Sequence, residues 1–272
     1  MFRSYSLEGV FNMLIKELIA EMERDAAREV GKIATCDTVK AGQAEEVIKG
    51  IAVSMFATPE VIRAAGEIGA NFLIVHEPVY YNHFDSEIPN SIGREKQTLI
   101  DQLGMTIYRF HDHPHYTNPD TICEGMLEAI HLPGVLEERE PLKSNRYLLD
   151  TPMTAKELAV HLEKQLHIKH VKIAGCTDQK GKALSLAFGA ASDVAVELET
   201  VDFVLTGETS EWSVAEIARD YAQMGYNKAI LVMGHIGSER NGMMLVAHRL
   251  QQIHPDIPVR YLECGEVYSY TD

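Results

Sequence analysis

Ile51-Ala52-Val53-Ser54-Met55-Phe56, Thr58-Pro59-Glu60-Val61-Ile62 and Phe72-Leu73-Ile74-Val75-His76-Glu77 together decide the fold. The first run is apolar and bounded, which predicts a buried strand. Thr58 reads as a helix N-cap with Pro59 at the first helical position, and Gly69 closes the helix after about Ile68. Phe72–Val75 predicts the next strand, so the stretch is a strand–helix–strand unit that ends on His76 and Glu77. Carboxyl ends of strands in open α/β sheets are where such folds bind their ligands.

Working outward, a helix from about Arg94 to Leu103 is stopped by Gly104 and leads to the strand Thr106–Phe110, which ends on His111. The second half repeats the plan. Leu184–Phe188 is a strand, Ser192–Glu199 a helix, and Val201–Thr206 a strand ending on Gly207 and Glu208. Ser213–Met224 is a helix broken by Gly225. Ala229–Met233 is a strand that delivers His235, and Asn241–Gln252 is a helix. Each half reads strand, helix, strand-acid, helix, strand-His. The expected fold is α/β: two related α/β lobes with mixed sheets flanked by helices and a metal site in the interlobe cleft. The stretch His131–Asn145, with Pro133, Gly134 and Pro141, is the expected boundary. It divides the chain into lobes 1–135 and 136–272, with the C-terminal segment able to return to the first lobe. Thr154 caps a further helix, and Val10, Leu14, Leu18 and Met22 mark an amphipathic helix within Met1–Ala34.

With 25 Lys and Arg against 40 Asp and Glu, the formal charge is −15. Such a surface repels phosphate backbones and anionic lipid, so neither nucleic acid nor a membrane is expected as partner. Cys36, Cys123, Cys176 and Cys264 form no CxxC pair, which favours reduced thiols over a disulfide framework. No apolar run approaches a bilayer span of roughly 20 residues, and no signal-peptide core is visible. A cytoplasmic location is the expectation.

His235 and Glu239 lie four apart at a helix start, hence on one face. With His76, Glu77, His111 and His115 they make six candidate ligands. For each histidine alone, a hydrogen-bonded structural role is the commoner reading; pairing with a carboxylate raises the case for His76–Glu77 and His235–Glu239. In His111-Asp112-His113-Pro114-His115-Tyr116, Pro114 disfavours helical geometry at His113, so a loop is expected, and Asp112 or His113 could replace His115. Six donors exceed the three protein ligands of a usual catalytic zinc site. They suit two divalent transition-metal ions, among zinc, manganese, iron, cobalt and nickel. A metal pair can generate a hydroxide at neutral pH and clamp a developing oxyanion. Glu208 is the candidate general acid/base, equally readable as a residue that orients a ligand or as a helix-start acid. His83 reads as a wall residue, and Trp212 as pocket lining or packing.

These residues resemble the NIF-three-like family, whose members carry the name type 2 GTP cyclohydrolase I. Thr58-Pro59-Glu60-Val61-Ile62, Val75-His76-Glu77-Pro78, the block His111 to His115, Thr206-Gly207-Glu208, and Gly234-His235 through Glu239 follow the family's five blocks in order. Two positions depart: Glu77 stands for a family His and His115 for a family Asp, an exchange that keeps four His and two carboxylates. Cys36-Asp37-Thr38-Val39 also lacks the family's Trp-Asp-Asn-Val-Gly. The resemblance implies a dinuclear metal centre and a homo-oligomer, a hexameric ring. It further implies metal-dependent hydrolysis of a small anionic or nucleotide-like substrate, nominally GTP. The alternative expectation is a non-enzymatic metal-binding regulatory or scaffold protein.

Overall fold

A computed structural model of the protein describes residues 12–137, 144–191 and 193–271. The chain forms two compact units, one from Met1–His113 and Gln251–Leu262, the other from Pro114–Leu250 and Glu263–Asp272.

The first unit runs α1 (Ile15–Glu23), α2 (Ala27–Val30), β1 (Val39–Ala41), β2 (Ile51–Ser54), α3 (Pro59–Glu67), β3 (Phe72–Val75), α4 (Ser91–Leu103) and β4 (Thr106–Arg109). The short helix α5 (Asp112–Tyr116) then leads into the second unit. Its sheet has the order β1-β4-β3-β2, completed by the strand Val259–Tyr261 beside β2. β2, β3, β4 and Val259–Tyr261 are parallel, and β1 is antiparallel to β4. All residues of β2, β3 and β4 are buried, which is why these strands read as continuous apolar runs. α3 starts where its chemistry demands: the Thr58 hydroxyl accepts from the Val61 N–H at 3.1 Å, and Pro59 loses no intrahelical bond.

The second unit runs α6 (Thr121–Ile130), β5 (Gly134–Leu136), β6 (Asn145–Thr154), α7 (Ala155–Leu166), β7 (Lys172–Gly175), β8 (Lys180–Ala187), α8 (Val194–Thr200), β9 (Phe203–Thr206), α9 (Val214–Gln223), β10 (Ala229–Val232) and α10 (His235–Ile253). The last turn of α10, from Gln251, belongs to the first unit. The sheet order is β5-β6-β8-β9-β10-β7, with β8, β9 and β10 parallel and β6 and β7 antiparallel to their neighbours. One core gathers Leu149, Leu158, Leu184, Phe203 and Leu231 with Met126 and Ile130 of α6.

Each unit therefore contains three successive parallel strands joined by helices, and their carboxyl ends are tied alike. The Met55 carbonyl accepts from the N–H groups of His76 and Glu77 at 3.2 and 3.0 Å. The Gly189 carbonyl accepts from Gly207 and Glu208 at 2.9 and 3.0 Å. Phe110 N–H donates to Val75 at 2.8 Å, and Met233 N–H to Thr206 at 2.9 Å. The architecture is mixed α/β with two mixed sheets flanked by helices.

Four expectations change. The units divide at His113/Pro114 instead of near 135, because α6 inserts its apolar face into the second core and β5 pairs with β6. His115 accordingly belongs to the second unit. The N-terminal amphipathic stretch forms two short helices, and Val10 lies outside the described residues, as does Pro141 of the expected linker. α10 begins at His235, six residues before Asn241. Finally, Asp112–Tyr116 is a helix, although a loop was expected. Pro114 falls in its first turn, where a missing N–H costs nothing.

α6 and α10 cross at glycines. A Cβ on Gly125 would lie 2.5 Å from the Asn241 carbonyl oxygen, and one on Gly242 would lie 2.5 Å from Ile122 Cα. Since backbone cannot yield as a side chain can, Gly125→Val should destabilise the protein by about 2 kcal/mol or more. A urea midpoint equal to that of the native protein would contradict this crossing.

Candidate metal centre

In the first unit the donors sit just past the ends of β3 and β4. His76 is fully buried, and its Nδ1 lies 3.0 Å from the carbonyl oxygen of Phe110. His111 stacks on His76 with ring centroids 4.6 Å apart, and its Nδ1 lies 3.0 Å from Asp112 Oδ1. Asp112 Oδ2 accepts from the Thr35 hydroxyl at 2.7 Å and the Cys36 N–H at 2.9 Å. Burial alone would raise the Asp112 carboxyl. The hydrogen bonds from His111, Thr35 and Cys36 outweigh that and hold it well below the usual carboxylate range, so it stays charged. Glu77 is buried, with Arg109 behind it at 3.5 Å.

Asp37 organises this end of the sheet. Its carboxylate accepts from the N–H groups of His111, Asp112 and His113 at 2.7, 2.9 and 2.8 Å, and from His113 Nδ1 at 2.7 Å. These are the unpartnered donors of the first turn of α5, which explains how a helix forms across Pro114. They also hold His113 in a structural position. Burial would raise Asp37, yet the bonds from His113 and the three N–H groups keep its carboxyl below the ordinary value. Cys36, Asp112 and His111 bring potential ligand atoms within 4.8 Å of one another. Burial, however, pushes the Cys36 thiol up, so it is held neutral.

In the second unit, His115 Nδ1 lies 3.2 Å from Asp120 Oδ2, while Asp120 Oδ1 caps α6 through the Cys123 N–H at 2.9 Å. His235, at the start of α10, places Nδ1 2.7 Å from Glu208 Oε1 and Nε2 3.2 Å from Glu239 Oε2. Glu239 Oε1 lies 3.7 Å from His115 Nε2. One carboxylate thus faces two imidazoles, an oxygen to each. Gly189 makes room for it, since a Cβ there would overlap the Glu239 carboxylate, and its φ of +67° also favours glycine. The Gly189 N–H donates to Ser238 Oγ at 3.0 Å, fixing the loop after β8 to the first turn of α10.

The family model described as Duf34/NIF3 (NGG1p interacting factor 3) matches residues 13–264. The chain belongs to the NIF3 family. A relative from Clostridium perfringens (strain 13 / Type A), named GTP cyclohydrolase 1 type 2 homolog, is 25% identical over 224 residues, 78% of this chain and 81% of its own. One of the same name from Buchnera aphidicola subsp. Schizaphis graminum (strain Sg) is 22% identical, covering 81% and 86%. Among solved structures, the protein ybgI, of unknown function, superposes with a TM-score of 0.74 at 21% identity over 94% of this chain and all of its own. A Bacillus cereus protein related to NIF3 gives 0.75 at 14% over 96% and 100%.

The structure pairs His235 with Glu208, so Glu208 stands where it orients an imidazole; its side chain is 59% exposed. Trp212 is 87% exposed. Sequence reading passed over Asp37, Arg109, Asp120 and Gly189. Asp120 carried a visible cap signal ahead of the apolar run of α6. Asp37 carried none, because its partners lie more than 70 residues away.

Asp37→Asn should cost about 2 kcal/mol at neutral pH, since charge-assisted bonds to buried N–H groups are lost. The native carboxyl sits below its unfolded value of roughly 3.9. Its contribution is therefore complete above that pH and disappears as pH falls through the lower folded value. The stability gap between the two proteins, measured by denaturant titration, should narrow below pH 4. A gap independent of pH would contradict the assignment.

Proposed function

We propose that this NIF3-family protein is a divalent-metal-dependent hydrolase with a dinuclear centre, acting on a small anionic or nucleotide-like substrate. The observation that carries the reading is the electrostatics of His235. Its two ring nitrogens face carboxylate oxygens, Glu208 at 2.7 Å and Glu239 at 3.2 Å. A doubly protonated ring would satisfy both carboxylates; a neutral one that donates from Nδ1 turns a lone pair toward Glu239, and a metal ion there would be held by ring and carboxylate together.

The donor chemistry fits such an ion. His76, His111, His115 and His235 each offer Nδ1 to a carbonyl or carboxylate, the arrangement that fixes the tautomer of a metal-binding histidine. These four, with Glu239 and Glu77, would hold the ions, and imidazole with carboxylate suits zinc, manganese, iron, cobalt or nickel. Bound there, the metals supply Lewis acidity and water activation at neutral pH. The chain's own residues supply orientation: Glu208, Asp120 and Asp112 keep the proton on Nδ1 of their histidines and hold the rings still. Glu239 turns one oxygen to each of two imidazoles, so its carboxylate would hold metal together with them. The name GTP cyclohydrolase 1 type 2 homolog borne by two relatives supports GTP-like substrates as the first to screen. The centre's excess positive charge favours a phosphate- or carboxylate-bearing molecule.

His235→Ala should lose bound metal and metal-dependent hydrolysis together, and Gly189→Ala, which displaces Glu239, should reduce metal uptake with secondary structure kept. Elemental analysis beside a nucleotide hydrolysis screen reads both. Turnover that survives in metal-free His235→Ala protein would sink the proposal.

A further inference from the structure

Arg109 ends β4 with its side chain 1% exposed, and each of its three guanidinium nitrogens meets an oxygen of the first unit. Nε donates to the His76 carbonyl at 3.0 Å, one terminal nitrogen donates to the His83 carbonyl, and the other faces Glu77 Oε2 at 3.5 Å. A fully buried guanidinium needs a counter-charge, and Glu77, itself 6% exposed, is placed to give it. Glu77 and Arg109 together carry no net charge.

We propose that Arg109 is a positioning residue that makes Glu77 a charge-compensated donor, and that the pair sets how tightly the first unit's donors hold a metal ion. This inference rests on the metal-centre reading above. With His76 and His111 neutral, the donor set of the first unit then has a net charge near zero instead of −1. A fixed guanidinium beside the carboxylate opposes an incoming divalent cation, since charges a few ångströms apart in a buried setting interact by several kcal/mol before screening. Metal is therefore held more weakly than by the same donors without Arg109. Arg109 also fixes where Glu77 stands, through the backbone of His76 beside it. Its hold on the His83 carbonyl anchors the loop after β3, where His83 approaches the edge of the His111 ring with centroids 6.2 Å apart.

The test is Zn2+ affinity, measured by competition with a chromophoric chelator on full-length protein, with folding followed by circular dichroism and the Zn2+-induced rise in Tm. Arg109→Gln keeps a donor but removes the charge, so it should bind Zn2+ about tenfold more tightly and gain a larger Tm rise than the native protein. Arg109→Lys keeps the charge and should stay within about threefold. Glu77→Gln leaves the guanidinium uncompensated and should bind about tenfold more weakly. The double variant Glu77→Gln/Arg109→Gln, neutral throughout and usable should Arg109→Gln fail to fold, should recover nearly native affinity. Equal affinities for Glu77→Gln and the double variant, or a folded Arg109→Gln no tighter than native, would overturn the proposal while native Zn2+ binding left the metal centre standing. Native protein that takes up no Zn2+ removes the metal-centre reading and this inference with it.

Discussion

A neutral imidazole can present a lone pair at one nitrogen only, and the other nitrogen must then carry a proton that needs an acceptor. In this protein His76, His111, His115 and His235 all spend Nδ1 in that way, on the Phe110 carbonyl, Asp112, Asp120 and Glu208. The rest of the structure serves to deliver those four acceptors. The end of β4 brings the Phe110 carbonyl, the first turn of α5 brings Asp112, the cap of α6 brings Asp120, and the end of β9 brings Glu208. The carboxylates in turn are held by other donors, Asp112 by Thr35 and Cys36, and Asp120 by the backbone of α6.

The two units use the same device with different parts. Each runs three parallel strands in sequence and ties the second strand's end back to a carbonyl beyond the first. In the first unit the position after the second strand holds His76 and Glu77; in the second it holds Gly207 and Glu208. The candidate donors His76 and Glu77 in one unit are thus matched by Gly207 and Glu208 in the other, where Glu208 holds the His235 ring. The charge logic differs too. Glu239 is buried against two imidazoles, whereas Glu77 is buried against a guanidinium.

Much of this was legible in the sequence. The strands and helices around Thr58-Pro59 and Phe72–Val75 followed from cap chemistry and apolar runs, and the repeat of strand, helix, strand-acid, helix, strand-His is present in the topology. His76, His111 and His235 stand at the strand ends where they were expected. What stayed hidden depended on distant partners. Pro114 argued against a helix because the Asp37 carboxylate that caps α5 could not be seen from 74 residues away. The unit boundary was misplaced because the apolar face of α6 does not say which core it enters. Arg109 looked like one more strand residue, and only its burial beside Glu77 shows that this carboxylate has its own counter-charge. Gly189 gave no sign of its role, because the Glu239 carboxylate that lies where its side chain would be comes from a distant helix.

The imidazoles and carboxylates at these strand ends form the candidate metal centre. Elemental analysis of protein purified without chelator or affinity metal tests it most directly. A dinuclear centre gives about two equivalents of a divalent transition metal per chain. Protein that carries none, and takes up none when manganese, iron or zinc is added, would contradict it.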